Sequence, residues 1–336
     1  MLRELSKNPI YLPSNFWSHV NRLNIEMIEK LGSDNFKRTV SQNYFNWLIR
    51  NPWDLKFVKT IFKWFRRPSF SIFGGKIENQ VEIMLITHEN SIKLNRIQRK
   101  VYFWYVKFAW QLMKQFDSRN FHRQLEEPSI GNPIRIEFED KLISQDLANS
   151  IIEWNLFLDN FPSSESKLRI AELGGGYGRL AYVAAKTSNV QYFLFDIPPA
   201  LIVAEEYLKS VFPEKKIVTF SESSTLEGFE EDFQGADIII LTANLIERFP
   251  QYFFDGFISI STLPELNRVQ IENFVLHISR TTNKTIFLKQ WKSWINTFDS
   301  NTSTLSDYNF GDTWVRKIMN DPLDSNFFMG FWTSGS

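Results

Sequence analysis

The fold is decided by the run Leu168-Arg-Ile-Ala-Glu-Leu-Gly-Gly-Gly-Tyr-Gly-Arg-Leu180, followed by Gln191-Tyr-Phe-Leu-Phe-Asp196. The first six residues read as a buried strand, and glycines follow at 174, 175, 176 and 178. A helix then begins. Glycine is the residue for a sharp turn whose backbone must approach a ligand with no Cβ in the way. Asp196 ends the next strand, 24 residues after Glu172, where a carboxylate can accept hydrogen bonds from both hydroxyls of a ribose. Loop and acid together are a stronger signal than either alone.

Two nucleotide-type ligands compete for this loop. The dinucleotide fingerprint G-x-G-x-x-G, counted from Gly174, would need a third glycine at position 179, which is Arg. Counted from Gly176 it ends on Ala181 and meets the looser form of the pattern, so spacing alone leaves NAD open. Glu172 just before the loop would repel a pyrophosphate and suits a ligand bearing an ammonium and a sulfonium, as S-adenosylmethionine (SAM) does. A glycine-rich turn that holds no ligand is the bland third reading.

Outward from the loop, short β-type runs alternate with helical ones, the pattern of a mostly parallel sheet covered by helices on both faces. Strands are expected over 168–173, 191–196, 217–220, 237–241, 255–260 and 285–289, with helices over 178–186, 199–211 and 268–280. Runs 217–220 and 237–241 compete for the third place in the sheet, and the second is preferred. Thr242 and Ala243 then flank the adenine, and run 255–260 becomes the fourth strand. In the other arrangement Ser221 and Glu222 would take their place. Segment 296–312, rich in Asn, Ser, Thr and Asp, reads as a loop that covers a site or merely connects, and the closing Phe-Phe-Met-Gly-Phe-Trp suits a buried strand.

Residues 1–140 read as a mainly helical domain, a cap over substrate or an oligomerisation element, and 141–336 as the α/β domain. Ser14 offers an N-cap to a helix ending at Gly32, and a second helix follows over 34–50. Over 55–65 a basic amphipathic helix is expected, more often a solvated cationic face than a membrane-surface site. The apolar helix expected over 91–116 belongs in a core, and Ser144 with Asp146 caps another that runs to about Leu158.

Composition narrows the function. Lys plus Arg and Asp plus Glu both number 38, so the electrostatic footprint of a nucleic-acid binder is missing. The chain has no Cys, which removes disulfides, thiolate metal sites and cysteine nucleophiles. No metal is expected, because neither His-x-x-x-His nor paired Asp with ligand spacing occurs. The N-terminal residues lack a signal peptide's apolar core, and the best apolar run, 101–113, is short and interrupted by Lys107, so a cytoplasmic protein without a membrane span is expected.

On these residues the chain resembles the sugar O-methyltransferases found among bacterial polysaccharide genes. The resemblance is carried by ELGGGYGRLA from Glu172, FDIPPALIVAEEYL from Phe195, ADIIIL from Ala236 and FFDGFISISTLPEL from Phe253. Two N-terminal stretches extend it, NFKRTVSQNYFNWL from Asn35 and GNPIRIEFEDKLISQDLANSIIEW from Gly131. It implies a Rossmann-like class I methyltransferase fold, SAM as cofactor, and methyl transfer to a sugar hydroxyl in glycan or polysaccharide assembly. The alternatives are an NAD(P)-dependent oxidoreductase and a catalytically silent methyltransferase-like binding module.

The candidate site residues follow. Cofactor binding is expected of Glu172, Gly174, Gly175, Gly176, Tyr177, Gly178, Asp196, Ile197, Thr242 and Ala243. In open α/β sheets the site lies beyond the carboxyl ends of the strands, which selects Thr242, Ala243, Asn244, Ser261, Thr262 and Glu265 for inspection. Glu265 is the leading general base, since the resemblance aligns it with the glutamate of a Ser-x-x-Glu-Met-like motif; here Thr262, Leu263 and Pro264 precede it and Leu266 replaces the Met. Its bland reading is a carboxylate at the start of the next helix. Thr262 is a substrate contact. His122, in the segment 117–139 that reads as a loop or short strands at the domain boundary, is the second candidate base, and Arg123 could steady a charged sugar. His19 and His88 are expected to be structural, and His277 solvated.

Overall fold

The computed structural model describes residue 5 and residues 8–37, 75–77, 84–86, 91–93, 96–162, 166–219 and 233–335. The basic helix expected over 55–65, most of the helix expected over 34–50, His88, and the alternative pair Ser221 and Glu222 lie outside them. The chain forms two compact units, residues 23–155 and residues 1–22 together with 156–336. The sequence reading placed one cut at 140/141, whereas the first 22 residues count with the sheet.

The unit of residues 1–22 and 156–336 begins on helix α1 (Asn15–Leu31), whose later turns belong to the other unit. Ser14 caps it as expected, its Oγ accepting from the N–H of Trp17 at 3.2 Å. The Asp299 carboxylate, far away in sequence, accepts from the N–H groups of Asn15 (2.9 Å) and Phe16 (3.1 Å), where a negative charge also complements the helix dipole.

The sheet has eight strands: β1 (Leu168–Leu173), β2 (Val190–Asp196), β3 (Ile217–Thr219), β4 (Ile238–Thr242), β5 (Phe254–Ile260), β6 (Thr282–Trp291), β7 (Trp314–Asn320) and β8 (Phe327–Ser334). Their spatial order is β7-β8-β6-β5-β1-β2-β4-β3, parallel from β3 to β6 and antiparallel at β8 and β7. The fold is therefore α/β, a mostly parallel Rossmann-like sheet. The helices α4 (Arg179–Thr187), α5 (Ala200–Val211) and α6 (Arg268–Thr281) supply the connections. Because β4, and not β3, pairs with β2, the preferred strand assignment holds. The chain steps outward from β1 through β2, then crosses back to β5 on the other side of β1. That reversal opens a crevice at the carboxyl ends of β1 and β5, where ligands of such sheets bind.

Burial on both faces explains why these strands read as unbroken apolar runs. All five residues of β4 are buried, as are Phe193 and Phe195 of β2. Beneath them a phenylalanine cluster forms, with Phe249 4.8 Å from Phe254 and 5.6 Å from Phe193 between ring centroids. The closing aromatic run is the buried strand β8, with Phe331 stacked on Phe287 of β6 at 4.9 Å. The expected loop over 296–312 is corrected: Ser293–Asn296 and Asn301–Thr304 pair as a hairpin.

In the unit of residues 23–155 the long apolar helix α2 (Arg96–Phe116) begins five residues later than the expected start at Ser91. Ser91–Lys93 instead pairs antiparallel with Met84–Ile86, and that pairing takes the backbone groups a longer helix would have used. Lys107 does not break the helix, for it is fully buried with its Nζ 4.7 Å from the ring centroid of Phe138. Helix α3 (Gln145–Asp159) starts at its expected cap, Ser144 Oγ accepting from Leu147 N–H at 3.0 Å.

Two constraints meet at Gly174. Its φ is +77°, and a Cβ there would lie 1.8 Å from Thr262 Oγ1. We expect Gly174→Ala to cost about 2 kcal/mol or more in urea unfolding. Adding Thr262→Gly should recover the steric part and leave the part due to φ. Equal stability of Gly174→Ala and wild type would contradict this packing.

Candidate active site

The glycine loop is fixed from three sides. From β2, Asp196 Oδ2 accepts from Gly176 N–H at 2.7 Å, while Oδ1 accepts from Ile197 N–H at 2.7 Å. From β5, Thr262 Oγ1 lies 3.2 Å from Leu173 O and 3.1 Å from Ile260 O, so its hydroxyl ties the ends of β1 and β5 together. From below, Tyr177 is buried with its ring 5.1 Å from Tyr207 of α5. The glycines answer to protein packing as much as to any ligand: a Cβ on Gly175 would come within 2.6 Å of Leu194 and 2.9 Å of Glu172 Oε2.

Glu172 is buried at the end of β1, and Tyr192 donates its hydroxyl to Glu172 Oε2 at 2.8 Å. Asp196 is pushed up to about 7 by its removal from water, against the opposing pull of the Ile197 and Gly176 N–H bonds. Each of its oxygens holds one backbone bond and keeps acceptor capacity for more.

Around the crevice several buried polar atoms have no hydrogen-bond partner among the described residues. They are Thr242 Oγ1 at the end of β4, Asn244 Oδ1 just after it, and Ser261 Oγ just after β5. Ser261 has φ +57°, a left-handed conformation that a serine holds only under constraint, and its N–H donates to Lys289 O at 2.9 Å. Buried polar groups left unpartnered at strand ends call for an explanation, because most such groups are hydrogen-bonded. Ala243 is buried beside Thr242.

Glu265 lies in a short 3-10 turn, Leu263–Glu265, between β5 and α6, rather than in the first turn of α6, which Asn267 caps with Gln270. Its carbonyl accepts from Ser14 Oγ at 2.9 Å and from Asn296 Nδ2 at 3.2 Å. Asn301 Nδ2 donates to the next carbonyl, Leu266 O, at 3.3 Å. The hairpin expected to be a loop thus braces the turn that carries Glu265. Sequence reading missed Ser14, Asn296 and Asn301 in this role, and an asparagine-rich segment was the one signal that could have suggested it.

His122 and Arg123 lie in the unit of residues 23–155, in a 3-10 turn. His122 Nδ1 is 2.6 Å from Asp117 Oδ2, and the same carboxylate accepts from the N–H groups of Phe121 and His122. His277, expected to be solvated, is half-buried and 3.2 Å from Arg280; burial first and that guanidinium second push its pKa down. Packing of α6 against the 246–249 segment, to which Arg280 donates, accounts for the difference. His19 stacks on Phe298 at 5.2 Å, in line with a structural role.

No cluster of three or more His, Asp or Glu suited to a metal ion occurs among the described residues. None of the helices among them is long and apolar enough to cross a membrane.

No family profile matches the sequence, and no curated protein matches it. Solved structures do overlay on part of it. A protein from Pyrococcus horikoshii OT3 covers 57% of this chain and 92% of its own at 9% identity, TM-score 0.40. Magnesium protoporphyrin IX methyltransferase from Synechocystis PCC 6803, solved with bound SAM, covers 55% and 77% at 11% identity, TM-score 0.36. Geranyl diphosphate C-methyltransferase from Streptomyces coelicolor A3(2), solved with S-adenosylhomocysteine, covers 53% and 77% at 8% identity, TM-score 0.37. Identity and TM-score are low in all three.

The Asp196 carboxyl keeps its proton in the folded chain up to about pH 7, whereas in the unfolded chain it loses it near the ordinary aspartate value of 3.8. Between those values the folded state binds more protons, so this group lowers stability as pH rises and is level above about 7. Urea unfolding from pH 4 to 8 should show that slope in wild type and a reduced one in Asp196→Asn. Parallel curves would contradict the assignment.

Proposed function

We propose that this chain is a SAM-dependent O-methyltransferase that methylates a hydroxyl of a sugar in bacterial glycan or polysaccharide assembly. The observation that carries the cofactor part is Asp196 at the end of β2, bonded to Gly176 of a glycine loop that follows the acidic Glu172. The residues fit the cofactor. Loop residues 174–178 would face its amino-acid end, and Glu172 would offset its cationic charge. Asp196 with Ile197 would take the ribose, and Thr242 and Ala243 would flank the adenine. The orphaned Thr242 hydroxyl supports that placement. A pyrophosphate beside buried Glu172 would meet repulsion, which disfavours the oxidoreductase reading.

SAM, when bound, supplies a sulfonium-activated methyl group, so the protein's own work is alignment and exclusion of water. A sugar hydroxyl needs a base to accept its proton as the new bond forms. Glu265, on its braced turn after β5, is the base we favour, with Thr262 beside the acceptor. The sugar as acceptor rests on the family resemblance.

His122 is the second candidate, supported by its Asp117 partner: a carboxylate accepting from Nδ1–H leaves Nε2 as the proton-accepting nitrogen. Arg123 would then steady an acidic sugar.

The test is transfer of a labelled methyl group from SAM to extracts and glycosides from polysaccharide-producing bacteria. Wild type should label a carbohydrate, and Glu265→Gln should lower turnover by about a hundredfold with cofactor affinity kept. Unchanged turnover in that variant would remove Glu265 and point to His122. Cofactor binding without transfer to any extract would favour a silent binding module, and stabilisation by NAD(H) instead of SAM would favour an oxidoreductase.

A further inference from the structure

Helix α3 opens on a buried polar enclave within residues 23–155. Lys37 and Glu127 form a buried ion pair, and Ser144 donates to Glu127 Oε2 at 2.5 Å while capping the helix. Those groups have partners. Next along the helix stand two that do not: Gln145 and Asn149, each 4% exposed. Neither Nε2 nor Oε1 of Gln145, nor Oδ1 of Asn149, has a hydrogen-bond partner among the described residues.

The two amides are four residues apart and so share one face of the helix. A buried amide left without partners destabilises a fold, and an apolar side chain of similar shape would remove that burden. Lys37, Glu127 and Ser144 at the start of the same helix are partnered, so the leftover amides are a liability that function explains better than folding does.

We propose that Gln145 and Asn149 form a subsite for an uncharged, polyhydroxylated ligand. A primary amide holds a donor and an acceptor in one plane, and a hydroxyl is likewise both, so two amides one turn apart match neighbouring hydroxyls of a sugar ring. Buried carboxylates at Asp146 and Glu127 disfavour a phosphate or carboxylate group in the same enclave. The ligand class rests on the sugar reading above, whereas the two amides stand as observed whichever cofactor the glycine loop takes.

The test uses the full chain and a panel of methyl glycosides of glucose, galactose, mannose and rhamnose, with binding read by ligand-detected NMR. S-adenosylhomocysteine binding is measured on the same samples. Wild type should bind at least one glycoside. Gln145→Met and Asn149→Leu should each weaken that binding about tenfold or more, with thermal midpoint equal to or above wild type and S-adenosylhomocysteine affinity unchanged. Should Gln145→Met fail to fold, Asn149→Leu carries the test.

Unchanged glycoside affinity in a folded variant overturns the subsite, as does a wild type that binds no glycoside while binding S-adenosylhomocysteine. Glycoside binding that depends on the two amides, in a protein that ignores S-adenosylhomocysteine, overturns the methyltransferase reading and leaves the subsite standing.

Discussion

The hydrogen bond from Gly176 N–H to the Asp196 carboxylate joins the turn after β1 to the end of β2, and the rest of the site is arranged around it. A carboxylate bonded to two backbone N–H groups is a firm anchor, since charge-assisted bonds are the stronger kind. Burial works against that anchor by favouring the protonated form, and the two N–H bonds oppose it. A ligand hydroxyl arriving at the same carboxyl would join the side that favours charge. Loop conformation and protonation meet in this one side chain, and a ligand bound there would be coupled to both.

The other supports follow in sequence from that anchor. With the loop held on the β2 side, Thr262 occupies the space a side chain at Gly174 would need and closes the β5 side. The turn after Thr262 carries Glu265, and its carbonyl is held by Ser14 from the N-terminal segment and by Asn296 from the hairpin. Asn296 also accepts from the N–H groups of Phe298 and Asp299, so the hairpin turn and the Glu265 turn are ordered by the same amide. Segments some 250 to 280 residues apart, Ser14 with Glu265 and Asn15 with Asp299, meet in this way. Rigid support of that kind is what the role proposed for Glu265 would require, because small displacements cost rate.

Much of the sheet was legible because parallel strands buried on both faces must be apolar throughout, and runs such as Ile238–Thr242 have few other uses. Strand β7 was not legible. It lies at the sheet edge with most of its residues exposed, so burial does not constrain its composition. The pairing of Ser91–Lys93 was hidden by the apolar helix that follows. In the site, the glycines and Asp196 could be read because backbone geometry and charge restrict the residue type. What backs the glycines could not: that Thr262 fits against Gly174, or that Leu194 closes over Gly175, depends on contacts between strands and not on spacing along one. Orphaned groups such as Ser261 Oγ and the Gln145 amide are visible only when their surroundings are known.

We propose that the Asp196-anchored loop holds a SAM-type ligand. Calorimetric titration of the full chain with S-adenosylhomocysteine, beside NADH and beside Asp196→Ala, tests it most directly. The expected result is a dissociation constant on the order of micromolar for wild type, marked weakening in the variant, and no heat of binding with NADH. A folded wild-type protein that ignores S-adenosylhomocysteine, or that prefers NADH, would contradict it.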